Sequence, residues 1–157
     1  MPYLLFLISI LLALPVWAVE ALNVQGWARA TASKAANGVA YVTIKNSSDL
    51  TDQLLSANTL AAKKVSLHKH FMEDGMMKMR AVGSVKFPAY STVVMKPGGL
   101  HLMLMGIKSP LVKGGSLDLT FTFQKAGTFT IPIKILGMGA KGAGDAHEMH
   151  GKKKHKH

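Results

Sequence analysis

Leu117-Asp118-Leu119-Thr120-Phe121-Thr122-Phe123 alternates apolar and polar side chains without a break. Successive side chains of a strand leave opposite faces, so this heptapeptide reads as a half-buried strand with its leucines and phenylalanines on a core. The pattern continues on either side of it. Gly38-Val39-Ala40-Tyr41-Val42-Thr43-Ile44-Lys45-Asn46 is rich in β-branched and aromatic residues and runs into a polar Asn46-Ser47-Ser48-Asp49 turn. The heptapeptide's strand is expected to span 116–123, and further strands are expected at 23–31, 53–57, 64–72, 76–82, 91–95, 100–107 and 129–135. Asp74-Gly75, Pro97-Gly98-Gly99, Lys113-Gly114-Gly115 and Ala126-Gly127 punctuate them with turn chemistry. Helical periodicity is scarce. Short strands at this spacing make the chain all-β, an antiparallel sandwich or barrel.

The 157 residues suit one domain flanked by two different ends. Residues 1–18 read as a signal peptide: an apolar run from Tyr3 to Leu14, then Pro15, then small residues in Val16-Trp17-Ala18. The segment lacks Lys and Arg, and if retained it would anchor the chain in a membrane. On either reading the remainder is exported, and a periplasmic location is expected. The core domain is expected at 19–137. Residues 138–157 carry Gly139, Gly142, Gly144 and Gly151 among lysines and histidines, and a flexible, disordered His/Met/Lys-rich tail is expected there. The net charge of +11 divides into +3 on that tail and +8 on the rest. In an exported protein this charge points to acidic partners or anionic surfaces and not to nucleic acid.

The chain has no Cys, 10 Met and 7 His. That composition excludes a disulfide scaffold, a thiolate zinc site, a cysteine nucleophile and a blue-copper centre. His101 and Met103 lie two apart in an expected strand and so leave one face together. His68 and Met79 flank an expected hairpin through Asp74-Gly75, which brings its arms within side-chain reach. These four form an N2S2 set of neutral donors. Thioethers are soft and uncharged, so the set favours Cu(I) over Zn(II), Ca(II) or Mg(II). Only the histidines titrate, so affinity should fall near and below a pKa of about 6.5. If Asp74 and Gly75 are the two central residues of a tight hairpin, His70 sits directly across from Met79 and His68 becomes a diagonal neighbour. His70 is therefore the alternative ligand.

The spacing of His68, Met79, His101 and Met103 resembles the H-(M)-x10-M-x21-H-x-M signature of the periplasmic copper chaperones known as the PCu(A)C family. The segments Met76-Met77-Lys78-Met79-Arg80 and Lys96-Pro97-Gly98-Gly99-Leu100-His101-Leu102-Met103-Leu104 are similar to those that carry its ligands, and the likeness spans about residues 20 to 136. The resemblance implies a cupredoxin-like Greek-key β-sandwich that holds Cu(I) near its surface. It also implies a monomeric carrier, not an enzyme, that moves copper towards cytochrome c oxidase assembly. The implied partners are a copper-accepting oxidase subunit or a Sco-type thioredoxin-fold protein. The competing classes are copper sequestration without a dedicated acceptor, and a β-sandwich interaction module that binds no metal. No nucleophile-elbow, phosphate-loop or paired-carboxylate pattern supports an enzyme.

His147, Met149, His150, His155 and His157 give the tail a second donor set, suited to Cu(II) as well as Cu(I). Deleting 138–157 is expected to abolish Cu(II) binding while leaving a Cu(I) site, as read by metal titration of both forms. Equal retention of Cu(II) by the shortened chain would reduce the tail to a solvated basic segment.

Overall fold

The arrangement of strands follows from one that changes partners along its length. In a computed structural model, which describes residues 22–144, the chain forms ten strands. They are β1 (Leu22–Arg29), β2 (Asn37–Asn46), β3 (Asp52–Asn58), β4 (Ala62–Glu73), β5 (Met76–Ala81), β6 (Val85–Phe87), β7 (Thr92–Val94), β8 (Leu100–Ile107), β9 (Ser116–Phe123) and β10 (Thr128–Leu136). β1 pairs antiparallel with β2, and its last residues also pair parallel with β10, Trp27 lying opposite both Tyr41 and Lys134. The hydrogen-bonded order is therefore continuous, β5-β4-β8-β2-β1-β10-β9-β3-β6, with β7 beside the second half of β2. The ladder doubles over at β1 into a sandwich. Neighbours β2 and β8, and β3 and β9, are distant in sequence, which is the Greek-key feature.

Alternation decides what enters the core. Ala28 of β1, Ala40, Val42 and Ile44 of β2, Leu67 of β4 and Leu102 and Leu104 of β8 are buried on the inner face of one half. Leu54, Phe87, Leu117, Leu119, Phe121, Phe123, Ile133 and Ile135 supply the other half. Two buried polar side chains tie the edges together. Asn46 donates from Nδ2 to the Leu50, Phe87 and Pro88 carbonyls, while its Oδ1 accepts from Ser48. The Asp52 carboxylate accepts the backbone N–H groups of Gln53, Lys125 and Ala126, fastening β3 to the β9–β10 turn.

Nine of the ten strands lie where alternation places them, β8 and β9 to the residue; β6, only three residues long, was not expected. Beyond β10 the described chain stays in contact with the sheet as far as Ala140. Ala140 is buried, and its carbonyl accepts from Arg29 Nε at 2.9 Å and Nη2 at 2.7 Å. Arg29 on β1 thus holds the turn at Ala140 against the sheet. The leader expected at 1–18 and the tail donors His147, Met149, His150, His155 and His157 lie outside the described residues. Among the described residues no helix is long and apolar enough to cross a membrane.

Gly26 sits on β1 where the sheet folds over. A Cβ there would lie 2.7 Å from Val42 Cγ1, 2.9 Å from the Tyr41 carbonyl oxygen and 3.1 Å from Ile133 Cγ2. The carbonyl belongs to the ladder and cannot retreat. Gly26→Ala is expected to cost about 1–3 kcal/mol, the usual penalty for overpacking. Urea unfolding should show a lower midpoint at an unchanged slope; an unmoved midpoint would contradict the tight approach.

Candidate metal centre

β4 carries the centre because it is paired on both sides. On one side His68 lies opposite His101 and Ser66 opposite Met103 of β8. On the other His70 lies opposite Met79 and His68 opposite Ala81 of β5. Residues directly opposed across a ladder share a face, so His68, His70, Met79, His101 and Met103 all stand on one face, away from Leu67 and Leu102. Glu73 pairs with Met76, leaving Asp74 and Gly75 as the turn, with φ of 53° and 74°. Two positive φ values make the tight, twist-matched type of hairpin turn. It is this turn that places His70, and not His68, across from Met79.

Three of the sequence-derived residues converge at His101. Its Nδ1 lies 3.0 Å from the Gly99 carbonyl and donates to it, which leaves the lone pair on Nε2. That atom faces Met79 Sδ at 3.2 Å. The His70 ring stacks on His101 with centroids 4.8 Å apart, and the His68 ring lies at 5.9 Å. Met103 follows two residues along β8, half-buried on the same face. Ser66 Oγ, 2.9 Å from His68 Nε2 and 3.5 Å from Met105 Sδ, completes the surroundings. Ser66 and the Gly99 carbonyl were not anticipated; the one signal for them is position, each standing two residues before a candidate histidine.

Two features ask for a ligand. The Nδ1 atoms of His68 and His70 are buried without a hydrogen-bond partner, a rare condition for buried polar atoms. Nε2 of His101 and the sulfur of Met79 present lone pairs towards one another. Among the described residues no three His, Asp or Glu side chains gather closely enough to hold a metal by themselves, so any ion here would rely on sulfur.

His101 is only 4% exposed although it stands on the outer face. Tyr41, at 6.4 Å between ring centroids, covers it from β2, and Trp27 stacks behind Tyr41 at 4.6 Å. Arg29 caps Tyr41 at 5.7 Å. Burial pushes the His101 imidazole below its ordinary value; the Gly99 carbonyl works against this, and His70 and His68 add to it. The ring is therefore neutral at neutral pH. Burial likewise raises the Tyr41 phenol, with Arg29 opposing.

The sandwich matches the fold of the PCuAC domains. The chain belongs to the LpqE-like family, whose model, described as "Putative lipoprotein LpqE-like", matches residues 23–135. It is 30% identical over 112 residues to a "Putative lipoprotein" of Leifsonia xyli subsp. xyli, covering 71% of this chain and 66% of the relative. An uncharacterized protein of Rickettsia prowazekii is 28% identical over 120 residues, covering 76% of this chain and 62% of the relative. The chain thus spans just under two thirds of the length of these relatives. Among solved structures, the copper-bound PCuAC domain from PmoF2 superposes with a TM-score of 0.65 at 25% identity, covering 77% of this chain and 97% of that domain. The apo PCuAC domain from PmoF1 gives 0.64 at 27% identity, covering 76% and 96%. The CuI-DR1885 structure from Deinococcus radiodurans gives 0.61 at 26%, covering 80% and 84%.

The buried setting of His101 has a direct readout. In the metal-free protein its ring proton shifts are expected to titrate below 6.5. With the folded value depressed, the unfolded chain binds the proton more readily, so this residue's contribution to stability is intact above 6.5 and is lost as pH falls. A midpoint at or above that value would contradict the burial.

Proposed function

We propose that this protein is an exported copper chaperone that holds Cu(I) through His68, Met79, His101 and Met103 and passes it towards the copper sites of cytochrome c oxidase. The observation that carries the reading is the 3.2 Å approach of His101 Nε2 to Met79 Sδ, two lone-pair donors with no proton between them. Taking the N and S bond lengths of tetrahedral zinc as a guide, two such ligands on one ion stand about 3.6 Å apart. A small outward shift of the Met79 side chain meets that spacing. Methionine has three rotatable bonds with which to make it.

Each residue then has a role. His101 is the fixed ligand, its tautomer set by the Gly99 carbonyl. Met79 reaches in from β5, every residue of which is exposed. His68, in register with His101, supplies the second imidazole, and Met103 the second thioether. His70 is the alternative to His68. Copper-bound members among its structural neighbours support copper as the cargo. The leader and the description of the family as lipoproteins support export to the periplasm. Transfer to a copper-accepting oxidase subunit or a Sco-type protein proceeds by ligand exchange, the acceptor adding its donors as these leave. Only coordination bonds to the ion exchange, with no covalent bond of a substrate made or broken, and the role is that of a carrier and not an enzyme.

Competition titration with a Cu(I) chelator tests this. Wild type should hold one Cu(I), and Met79→Ala and His101→Ala should each lose it. An unchanged one-equivalent site in either variant would overturn the assignment. His68→Ala should weaken binding at least about tenfold, the lower end of what even outer-shell partners cost, and His70→Ala should weaken it less. The reverse order would transfer the ligand role to His70.

A further inference from the structure

The β4–β5 hairpin extends the centre's face outward. Beyond the His70–Met79 pair, the next opposed residues on that face are Met72 and Met77, 63% and 62% exposed. Every exposed large apolar side chain on β4 and β5 is a methionine: Met72, Met76, Met77 and Met79. Solvent-exposed apolar side chains concentrated in this way call for a cause. A docking surface would be served equally by leucine, whereas a soft metal requires the sulfur.

Register gives these sulfurs an order. Directly opposed side chains have Cβ atoms about 4.5–5.5 Å apart, so both thioethers of the Met72–Met77 pair can meet at one ion. Successive pairs on a face are two residues apart, about 6.5–7 Å along the strand. Met72 with Met77, His70 with Met79, and His68 with His101 thus form three rungs, from the hairpin tip inward. The opposite face of the hairpin is chemically different. There Glu73 binds Lys78 and accepts from Arg80 at 2.9 Å, and Arg80 lies over the Phe71 ring at 4.4 Å. This clamp holds the two arms together and keeps their cationic groups on the side away from the sulfurs.

We propose that Met72 and Met77 form a second, outer Cu(I) site, occupied only in passing, through which the ion enters and leaves the inner one. The proposal rests on the copper reading above. Copper remains Cu(I) throughout and the thioethers remain neutral. The supplying chelate loses the ion and the inner ligands gain it, with no electron or proton transferred.

A site on the path alters rates and not the final equilibrium. The full-length Met72→Leu/Met77→Leu variant keeps size and apolarity but removes both sulfurs. Stopped-flow capture of Cu(I) from its bicinchoninate complex should slow about tenfold in this variant, because the local concentration of ion at the entrance is lost. Release to excess chelator should slow by the same factor, leaving the inner-site affinity within about twofold of wild type. Met76→Leu, 60% exposed on the opposite face, should load at the wild-type rate. Loading of the double variant at the wild-type rate, with one Cu(I) still held, would overturn the outer site and leave the copper reading standing. The outer site also fails if the double variant loses inner affinity in proportion to rate, or if Met76→Leu slows loading as much. Failure of wild type to hold any Cu(I) would overturn both proposals.

Discussion

The registration of β4 between β5 and β8 is the constraint on which the rest depends. Because side chains alternate, this pairing decides at once that Leu67 and Leu102 enter the core and that His68 and His101 stand on the other face. A slip of one residue would turn the imidazoles inward and the leucines out. Burying those leucines therefore also positions the donors. The β4–β5 side is set independently by the Asp74-Gly75 turn, whose two positive φ angles admit only one short connection. Stability of the fold and geometry of the centre are consequences of the same ladder.

The outer face would ordinarily be wet, and its burial at His101 has a separate origin. Trp27 and Tyr41 form a wall beside β8, and the chain after β10 returns to cover it, fastened by Arg29 to the Ala140 carbonyl. Lys141, Gly142 and Ala143 lie with Trp27, Tyr41 and Pro97 around one pocket on this face. The result is graded exposure across three strands: His101 buried, Met79 half-exposed, Met72 and Met77 open to solvent. A polar ring inside an apolar wall keeps its neutral form, whereas flexible sulfur at the edge can move without breaking the ladder.

Most of this is legible in the sequence where structure is local. β8 and β9 end where alternation ends, and His101 and Met103 share a face because strand period puts them there. The competition between His68 and His70 was also foreseeable as a question of turn type, and the two-residue turn places His70 opposite Met79. What escaped was non-local. Val85-Lys86-Phe87 is too short to carry a pattern, yet Phe87 is completely buried because β3 supplies its partner. Ala140 sits in a glycine-rich stretch with nothing to mark it for burial; its partner Arg29 is 111 residues away. Asn46 looks like an ordinary turn residue, and only the Phe87 and Pro88 carbonyls explain why it is enclosed.

Charge explains why such a centre is built from neutral donors. Outside its last twenty residues the chain carries +8, a poor environment for an added cation. A hard divalent ion would need carboxylates, and the two with settled partners are already committed: Asp52 to three backbone N–H groups, Glu73 to Lys78 and Arg80. Releasing Glu73 to a metal would free two cations beside it. Imidazole and thioether avoid this conflict, since they bind through donor orbitals and not through opposite charge. Binding of that kind brings no buried ion pair that must be broken on departure. Under the proposed function, a monovalent soft ion would be held by ligands that an acceptor can replace one at a time, as a carrier requires.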